Sequence, residues 1–256
     1  MLLKIQHIVI FITICAFTGC REQPVLISRE QGRQLPITDS LNGMDSLEAF
    51  IAPYRNRLNQ VLDSTLAYAP YTISKTDGTY NTTAGNLLAD IVLQEANPIF
   101  KVRTGKDIDF VLLNHGGIRS VISAGPVSAR TAYEVMPFDN TIVVAELNGK
   151  TVRDLVAFLI QANVPHAISG IQVVLNRDGS LKEVNIQGVP FDENRHYYVA
   201  TSSYLTQGGD DMDFFKDALG ITETDYYIRN AMIDYFKKVD TLRPKLDNRF
   251  MKTGSL

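Results

Sequence analysis

Apolar residues after position 44 recur at spacings that predict a succession of helices and strands. From Leu47 to Leu66 they return every three or four positions, which is the spacing of one face of a helix. We therefore expect a long helix that begins near Asp45 and packs by this face, with a kink or a late start at Pro53. The face consists of Leu47, Phe50, Ile51, Tyr54, Leu58, Val61, Leu62 and Leu66.

Elsewhere, short apolar runs bounded by Gly, Asn and Asp predict strands, and longer periodic stretches predict helices. The predicted strands cover residues 25–28, 34–38, 71–75, 110–113, 141–147, 170–175, 181–186 and 196–202. The predicted helices cover residues 83–95, a short segment between Ser128 and Met136, residues 149–159 and residues 224–238, followed by an extended tail to 249. Turn signals at Gly32 and at residues 176–179 indicate two hairpins.

Helices and strands thus mix without strict βα alternation, and several strands are joined directly by turns. This order predicts an α+β fold, a layered domain with a mixed sheet. With 256 residues, 45% of them hydrophobic and 21% charged, the composition is that of a soluble globular protein with one core. The formal net charge of -3 provides no excess of basic side chains, so a nucleic-acid polymer is not an expected partner.

The N-terminus has the pattern of an export signal. Basic Lys4 precedes an apolar run from Ile8 to Phe17, which is shorter than the roughly 20 residues that a membrane helix needs. Residues 17–20, Phe-Thr-Gly-Cys, resemble a bacterial lipobox, in which Cys20 is acylated and becomes the mature N-terminus. Ordinary cleavage at another small residue and an uncut hydrophobic anchor are the alternatives.

These features predict a lipoprotein signal peptide at residues 1–19, a tether at 20–24 and one folded domain at 25–256. Lipid on Cys20 would hold the domain at a membrane of the bacterial cell envelope, on the periplasmic or outer-membrane face. The other cysteine, Cys15, would leave with the signal peptide. The mature chain would then have no disulfide and would depend on a packed core for its stability.

The first loop with residues suited to ligand binding follows the apolar run at 110–113. Two glycines, Gly116 and Gly117, allow a ligand to approach the backbone closely. Asn114 offers a donor and an acceptor, and Arg119 offers a cationic fork. An ordinary turn after a strand is the alternative explanation of the glycine pair.

A second loop follows the last predicted strand and places Tyr204 ahead of a Gly-Gly pair and Asp210. Between the two loops, a proline restricts the backbone beside Phe138. Together these segments would suit a purine base stacked between Phe138 and Tyr204, with its ribose hydroxyls on Asp210. The alternatives are that Phe138 belongs to the core, and that Asp210 or Asp211 caps a helix starting at Met212.

Four motifs, in order and with suitable spacing, resemble the C-terminal domain of the 5′-nucleotidase family over roughly residues 45–250. They are the segments 85–90 (Gly-Asn-Leu-Leu-Ala-Asp), 114–119 (Asn-His-Gly-Gly-Ile-Arg), 137–140 (Pro-Phe-Asp-Asn) and 204–210 (Tyr-Leu-Thr-Gln-Gly-Gly-Asp). The resemblance implies that the base lies between Phe138 and Tyr204 and that Asp210 binds the ribose. It implies further nucleotide contacts at Asn114, Gly116, Gly117 and Arg119.

Three positions depart from the family pattern. Tyr204 stands where phenylalanine is more usual, and it keeps a stacking face. His115 stands where glycine is common. Residues 78–83 read Gly-Thr-Tyr-Asn-Thr-Thr, whereas family members usually carry Arg and Glu just ahead of the helix that follows. We therefore expect one cationic contact to the nucleotide to be missing.

Family members hydrolyse phosphate esters in a separate N-terminal domain, where His and Asp side chains hold two metal ions. None of the four histidines of this chain follows an Asp-x-His pattern, and no nucleophile elbow or phosphate loop occurs. The four are His7, His115, His166 and His196. We therefore expect no catalytic residue, metal ligand or cofactor in this chain, and divalent metals only in a partner metallophosphatase.

The resemblance thus implies a domain that recognises a nucleoside monophosphate or a nucleoside for a 5′-nucleotidase-type hydrolase in nucleotide catabolism. Its expected partner is a separate metallophosphatase lipoprotein. A non-enzymatic envelope lipoprotein, either nucleoside-binding or purely structural, is the alternative. A phosphatase that is active on its own is disfavoured because no metal-binding set is visible.

Overall fold

The computed structural model describes residues 2–17, 31–38, 41 and 43–254. Their contacts separate two compact units that divide between residues 50 and 51. In the first unit, helix α1 covers Leu2–Phe17. Helix α2, Asp45–Leu62, begins before the division and ends beyond it. No helix of the described ranges is both long enough and apolar enough to cross a membrane.

The predicted opening hairpin is wrong in the half that the structure describes. Residues 31–38 have no regular secondary structure, and Leu35 and Ile37 are 75% and 93% exposed. A strand needs a neighbour to take its backbone hydrogen bonds, and no described strand pairs with this segment. The other half, residues 25–28, lies outside the described residues, as does Cys20 with its lipobox.

Helix α2 begins at Asp45 as predicted and contains Pro53, so a late start is not observed. It ends before Leu66, which belongs to strand β1. The expectation that its apolar face packs is wrong, because no α2 residue is buried and Leu58 and Val61 are 57% and 54% exposed. Periodicity indicates a helix and its apolar face, but it does not supply a surface to cover that face.

The second unit contains three sheets and four further helices. The helices are α3 (Thr83–Thr104), α4 (Ala129–Val135), α5 (Gly149–Ala162) and α6 (Ile228–Lys238). The strands are β1 (Thr65–Ala69), β2 (Phe110–Leu113), β3 (Gly125–Ser128), β4 (Thr141–Asn148), β5 (Ala167–Ser169), β6 (Ile171–Leu175), β7 (Leu181–Ile186), β8 (Val189–Pro190), β9 (His196–Ser202), β10 (Gly220–Tyr227) and β11 (Phe250–Lys252).

The largest sheet has the strand order β10-β4-β9-β2-β5, in which β2 and β9 are parallel and the other pairs are antiparallel. A second sheet has the order β11-β6-β7-β8, with β11 parallel to β6, and β1 pairs with β3. Parallel and antiparallel pairs therefore occur together. The predicted α+β fold with a mixed sheet is confirmed.

Strand β2 of the five-stranded sheet is buried on both faces. Successive side chains of a strand point to opposite faces. In β2, Val111 and Leu113 belong to the core cluster that includes α3 and α6, whereas Phe110 and Leu112 belong to the cluster that includes α5 and β6. All four are at most 1% exposed. Burial on both faces explains why this strand has no polar position.

Several predicted boundaries are confirmed and have local causes. Helix α3 begins after Thr82, whose hydroxyl accepts a hydrogen bond from the amide of Gly85 at 3.1 Å. It runs past the predicted end to Gly105, which has a left-handed φ of 74°. Asn148 caps α5 by accepting a hydrogen bond from the amide of Thr151 at 2.9 Å. Strands β2, β7 and β9 have the predicted bounds.

Two further predictions are wrong. Residues 71–75 do not form a strand, since Ile73 makes only an isolated bridge to Ile122. Residues 224–227 extend β10 instead of opening the last helix, and the hydroxyl of Thr224 donates to the carbonyl of Ile142 on β4 at 2.6 Å. After an irregularity at residues 224 and 225, Tyr226 and Tyr227 pair with Ile142 and Thr141 of β4. This pairing satisfies backbone groups that a helix end would leave unpaired.

Candidate functional site

The two Gly-Gly loops leave the same edge of the five-stranded sheet. β2 and β9 are parallel neighbours, with Phe110 opposite Val199, so their carboxyl ends lie together. Asn114 follows β2 directly, and Tyr204 lies shortly after β9. The carboxyl ends of parallel strands are a common place for ligand sites because loops from distant parts of the chain meet there.

One cavity of about 310 Å³ opens at this edge, near the lower end of the roughly 300–1,000 Å³ range of small-ligand sites. It is lined by Asn114, Gly116, Gly117, Arg119, Phe138, Asn140, Tyr204 and Asp210. All seven residues that the sequence singles out for ligand binding are in this lining. Asn140, which belongs to the Pro-Phe-Asp-Asn motif, is the additional member.

The two aromatic residues of the cavity are neither buried nor fully exposed. Phe138 is 41% exposed and Tyr204 is 45% exposed. The alternative that Phe138 belongs to the hydrophobic core is therefore wrong. Aromatic side chains in this position offer apolar surface to a molecule that enters the cavity.

Arg119 contributes the positive charge of the cavity. Its Nη1 donates to the carbonyl of Gly116 at 3.3 Å, and its Cζ lies 6.0 Å from the centroid of the Phe138 ring. Among the residues that the structure describes, no carboxylate forms an ion pair with Arg119. Its remaining guanidinium donors can therefore bind an anionic group of a ligand.

Asp210 contributes the negative charge, and its side chain is oriented by both loops. Oδ2 accepts a hydrogen bond from Nδ2 of Asn114 at 2.6 Å, and Oδ1 accepts one from the hydroxyl of Tyr204 at 3.2 Å. Asp210 has a left-handed φ of 51° inside the 3₁₀ turn Gly209–Asp211, and the next turn, Asp213–Asp217, is preceded by Met212 and has no side-chain cap bond. The alternative that Asp210 or Asp211 caps a helix starting at Met212 is therefore wrong.

Two glycines of these loops are required by close contacts. A Cβ on Gly117 would lie 2.8 Å from Oδ1 of Asn114, and a Cβ on Gly209 would lie 2.4 Å from Cε1 of the Tyr204 ring. Any larger residue would displace one of these two cavity side chains. The absence of a side chain at both glycines thus leaves room for Asn114 and Tyr204 in their observed positions.

Arg229 on α6 holds the segment that carries Phe138. Its Nη1 donates to the carbonyl of Phe138 at 3.3 Å, and its Nη2 donates to Oδ1 of Asp139 at 2.7 Å. Its guanidinium also lies 4.3 Å above the ring of Tyr133. The motif around Phe138 contains no sign of this contact, since Arg229 is distant in the sequence and follows a strand that was not predicted.

Behind the cavity, His166 supports the Asn114 loop. Its Nδ1 accepts a hydrogen bond from the backbone amide of His115 at 3.2 Å. Burial and, to a smaller extent, the nearby His115 lower the pKa of His166 to about 4, whereas Asp210 acts in the opposite direction. Burial also lowers the pKa of His115, and the charge of Lys75 acts in the same direction. Both imidazoles are therefore neutral near pH 7.

The described residues do not form a metal site. Among them, no group of three or more His, Cys, Asp or Glu side chains lies close enough to hold a metal ion. In the cavity itself, each carboxylate oxygen of Asp210 accepts a hydrogen bond from a neutral donor, Asn114 or Tyr204. This donor set does not fit the paired metals of a phosphate-ester hydrolase.

Clefts of about 560, 650 and 350 Å³ also occur, and the two larger of these are less suited to a ligand. In the first, the buried Asn81 uses both amide hydrogens on the carbonyls of Asp247 and Phe250. In the second, the buried Asp109 is paired with Arg195 at 2.6 Å. These buried polar groups are satisfied within the protein, whereas Arg119 in the smaller cavity is not paired with a carboxylate of the described residues.

Comparison with known proteins finds the same family that the four sequence motifs resemble. The family model for the C-terminal domain of 5′-nucleotidase matches residues 64–217. Protein UshA of Escherichia coli is 30% identical over 144 residues, which are 55% of this chain and 26% of that protein. The 5′-nucleotidase of Vibrio cholerae is 23% identical over 229 residues, which are 86% of this chain and 38% of that protein.

Among solved structures, the 5′-nucleotidase precursor from Thermus thermophilus has the same fold, with a TM-score of 0.67 and 23% identity over 83% of this chain and 43% of that one. The chain thus spans about a quarter of UshA and less than half of the other two proteins. The family model covers more than half of the chain and includes every residue that lines the cavity. The chain belongs to the 5′-nucleotidase family, as its C-terminal domain.

Proposed function

We propose that the cavity binds a nucleoside monophosphate or a nucleoside, and that the domain recognises this ligand for a 5′-nucleotidase-type hydrolase in nucleotide catabolism. The observation that carries the proposal is the composition of one cavity of about 310 Å³. It combines two partly exposed aromatic residues, an oriented carboxylate and a guanidinium without a carboxylate partner among the described residues.

Each of these groups matches one part of a nucleotide. Phe138 and Tyr204 offer the flat apolar surfaces on which a base stacks. Asp210 accepts hydrogen bonds from ribose hydroxyls, and Arg119 binds a phosphate through its fork of donors. Asn114 offers a donor and an acceptor to the base or the ribose. A free sugar would leave the aromatic surface unused, and a free phosphate would be opposed by the carboxylate.

We further propose that hydrolysis takes place on a separate metallophosphatase chain. Hydrolysis of phosphate esters is among the slowest uncatalysed reactions and needs an activated water and charge neutralisation. The described residues line a cavity whose groups suit a base and a sugar, and they contain no cluster of metal-binding side chains. In this arrangement the phosphate on Arg119 points outward, where a partner's metals could reach it.

The proposed location is the bacterial cell envelope, with a lipid anchor on Cys20. The support is the sequence at residues 17–20 and the apolar run ahead of it. One matched relative, Lmo0130 of Listeria monocytogenes, is named a cell wall protein. An anchor of this kind would keep the domain close to a partner lipoprotein on the same membrane.

Binding is tested by isothermal titration calorimetry of the purified chain with adenosine and with AMP. We expect both to bind, and we expect Asp210→Asn to weaken adenosine more than adenine. Tyr68→Ala is a matched control, since Tyr68 is 50% exposed and does not line the cavity. Equal affinity in wild type, Asp210→Asn and Phe138→Ala would place the site elsewhere.

Hydrolysis is tested by following phosphate release from AMP with divalent metals present. The chain alone should not exceed the background rate, and addition of a metallophosphatase lipoprotein from the same organism should give turnover. Turnover by this chain alone that is lost on mutation of His115 would overturn the proposal. Intact nucleoside binding with no rate increase from the partner would instead favour a non-enzymatic binding lipoprotein.

A further inference from the structure

The carboxylate of Asp210 is oriented before any ligand arrives. Asn114 donates to Oδ2 at 2.6 Å from the loop after β2, and the hydroxyl of Tyr204 donates to Oδ1 at 3.2 Å from the loop after β9. A carboxylate oxygen has two acceptor positions. Each oxygen of Asp210 therefore keeps one position for a further donor, and the two donors hold the plane of the carboxylate.

The ring of Tyr204 is held by the same arrangement. Gly209 leaves the space that a Cβ would otherwise occupy 2.4 Å from Cε1 of the ring. The amide of Gly209 also donates to the carbonyl of Tyr204 at 3.3 Å. The backbone thus packs against the ring of Tyr204, and the hydrogen bond from its hydroxyl to Asp210 restrains the opposite end of the ring. Phenylalanine at this position would keep the stacking surface but would lose this hydrogen bond.

We propose that the Tyr204 hydroxyl is a positioning group that presents Asp210 to the paired 2′ and 3′ hydroxyls of a ribose. The ligand class selected by this contact is ribonucleosides and their 5′-phosphates, in preference to 2′-deoxynucleosides and free bases. This inference rests on the proposed function. It adds that the ribose hydroxyls are the part of the ligand that distinguishes ribonucleosides from 2′-deoxynucleosides and free bases.

The physical reason is preorganisation. Two free acceptor positions on one carboxylate receive two vicinal hydroxyls at a lower entropic cost when the carboxylate plane is already fixed relative to the stacked base. Without the Tyr204 hydroxyl, Asp210 keeps the bond from Asn114 and gains rotational freedom that ligand binding must remove. A hydrogen bond to a charged group is strong enough for this loss to change affinity by roughly three- to ten-fold.

The test is calorimetry of wild type and Tyr204→Phe with adenosine, 2′-deoxyadenosine and adenine. In Tyr204→Phe, the affinity ratio of adenosine to adenine should fall about three- to ten-fold, and the ratio of adenosine to 2′-deoxyadenosine should also fall. Tyr68→Phe is the matched control, because Tyr68 is 50% exposed and lies outside the cavity. It should keep both ratios of the wild type.

A double-mutant cycle separates positioning from a general effect of the substitution. Once Asp210→Asn has removed the carboxylate, adding Tyr204→Phe should change the adenosine-to-adenine ratio by less than about two-fold, since interacting residues are non-additive. Wild-type ratios in Tyr204→Phe, or a higher adenosine preference, would overturn this inference alone. A wild-type protein that binds none of the three ligands would overturn the proposed function, and this inference with it.

Discussion

Arg229 and Phe138 lie far apart in the sequence, yet the guanidinium of Arg229 donates to the Phe138 carbonyl at 3.3 Å and to the neighbouring Asp139 carboxylate at 2.7 Å. The side chain of Arg229 is only 10% exposed, whereas that of Asp139 is 79% exposed. A buried residue of α6 therefore anchors an exposed segment that carries one wall of the cavity.

Replacing Arg229 should weaken binding of every ligand that stacks on Phe138. We expect Arg229→Met to lower affinity for adenine and adenosine by a similar factor, about three- to ten-fold, because base stacking contributes roughly 1–3 kcal/mol per aromatic and only part of it is lost. Calorimetry measures this. Arg103→Met is the control, since Arg103 donates to the carbonyls of Glu223 and Thr224 outside the cavity. Equal ligand affinities in the two variants would contradict the anchoring role.

Truncation of either aromatic residue should have a larger effect on binding than on stability. Phe138→Ala and Tyr204→Ala should each weaken nucleoside binding by about five-fold to more than a hundred-fold, which corresponds to roughly 1–3 kcal/mol of stacking per base. Because both residues are more than 40% exposed, thermal unfolding should change little. The chain has no Trp and 11 Tyr, so tyrosine fluorescence offers a second readout. Unchanged affinity in both variants would count against stacking.

Stability should fall with decreasing pH because of His166. Its pKa is lowered, mainly by burial, from 6.5 to about 4 in the folded protein, so protons bind more tightly to the unfolded chain in this range. The full contribution of neutral His166 is present above pH 6.5 and is lost as the pH falls towards 4, by up to about 3 kcal/mol. Chemical denaturation at several pH values measures the slope.

A substitute for His166 that does not ionise separates the contribution of His166 to this pH dependence from the contributions of other ionisable side chains. Glutamine keeps an acceptor for the amide of His115 and does not ionise between pH 4 and 7. His166→Gln should therefore flatten the pH dependence of stability. The control Tyr68→Phe, at a residue that is 50% exposed and lies outside the cavity, should leave it as in the wild type. Parallel slopes in all three proteins would rule out this contribution.

If this domain binds the nucleotide and a separate chain hydrolyses it, a change in the cavity should affect the hydrolysis rates of different substrates unequally. With a metallophosphatase partner present, Tyr204→Ala should reduce hydrolysis of AMP while leaving a generic aryl phosphate nearly unaffected. This domain would hold the base and sugar, and the partner would handle the phosphate. The two rates are measured side by side with the same partner preparation. Loss of both activities to the same extent would indicate that Tyr204 acts through folding or partner binding.

The lipid anchor is tested by fractionation. Cys20→Ala should move the protein from the membrane fraction to the soluble fraction, because the apolar run at residues 8–17 is shorter than the roughly 20 helical residues that span a bilayer. Mass spectrometry of the wild-type N-terminus should show the acyl chains. A variant that stays membrane-bound, together with a mature protein without lipid mass, would refute the prediction.

The sequence by itself determined the local features of this protein. Periodicity and turn residues predicted β2, β7 and β9 with their bounds, because turn signals on both sides limit where so short a strand can begin and end. The motifs around Asn114, Phe138 and Tyr204 also singled out seven residues that the structure brings to one cavity. Their role in nucleotide binding stays a prediction, as do the anchor and the partner.

Only the tertiary structure decided which distant groups meet. Arg229 and His166 support the cavity from α6 and from the turn before β5, and nothing in the local sequence of either indicates its partner. The same limit explains the strand wrongly predicted at 71–75 and the absence of buried residues in α2. Periodicity shows how apolar and polar residues alternate within one segment. Strand pairing and side-chain burial depend on surfaces that other segments supply.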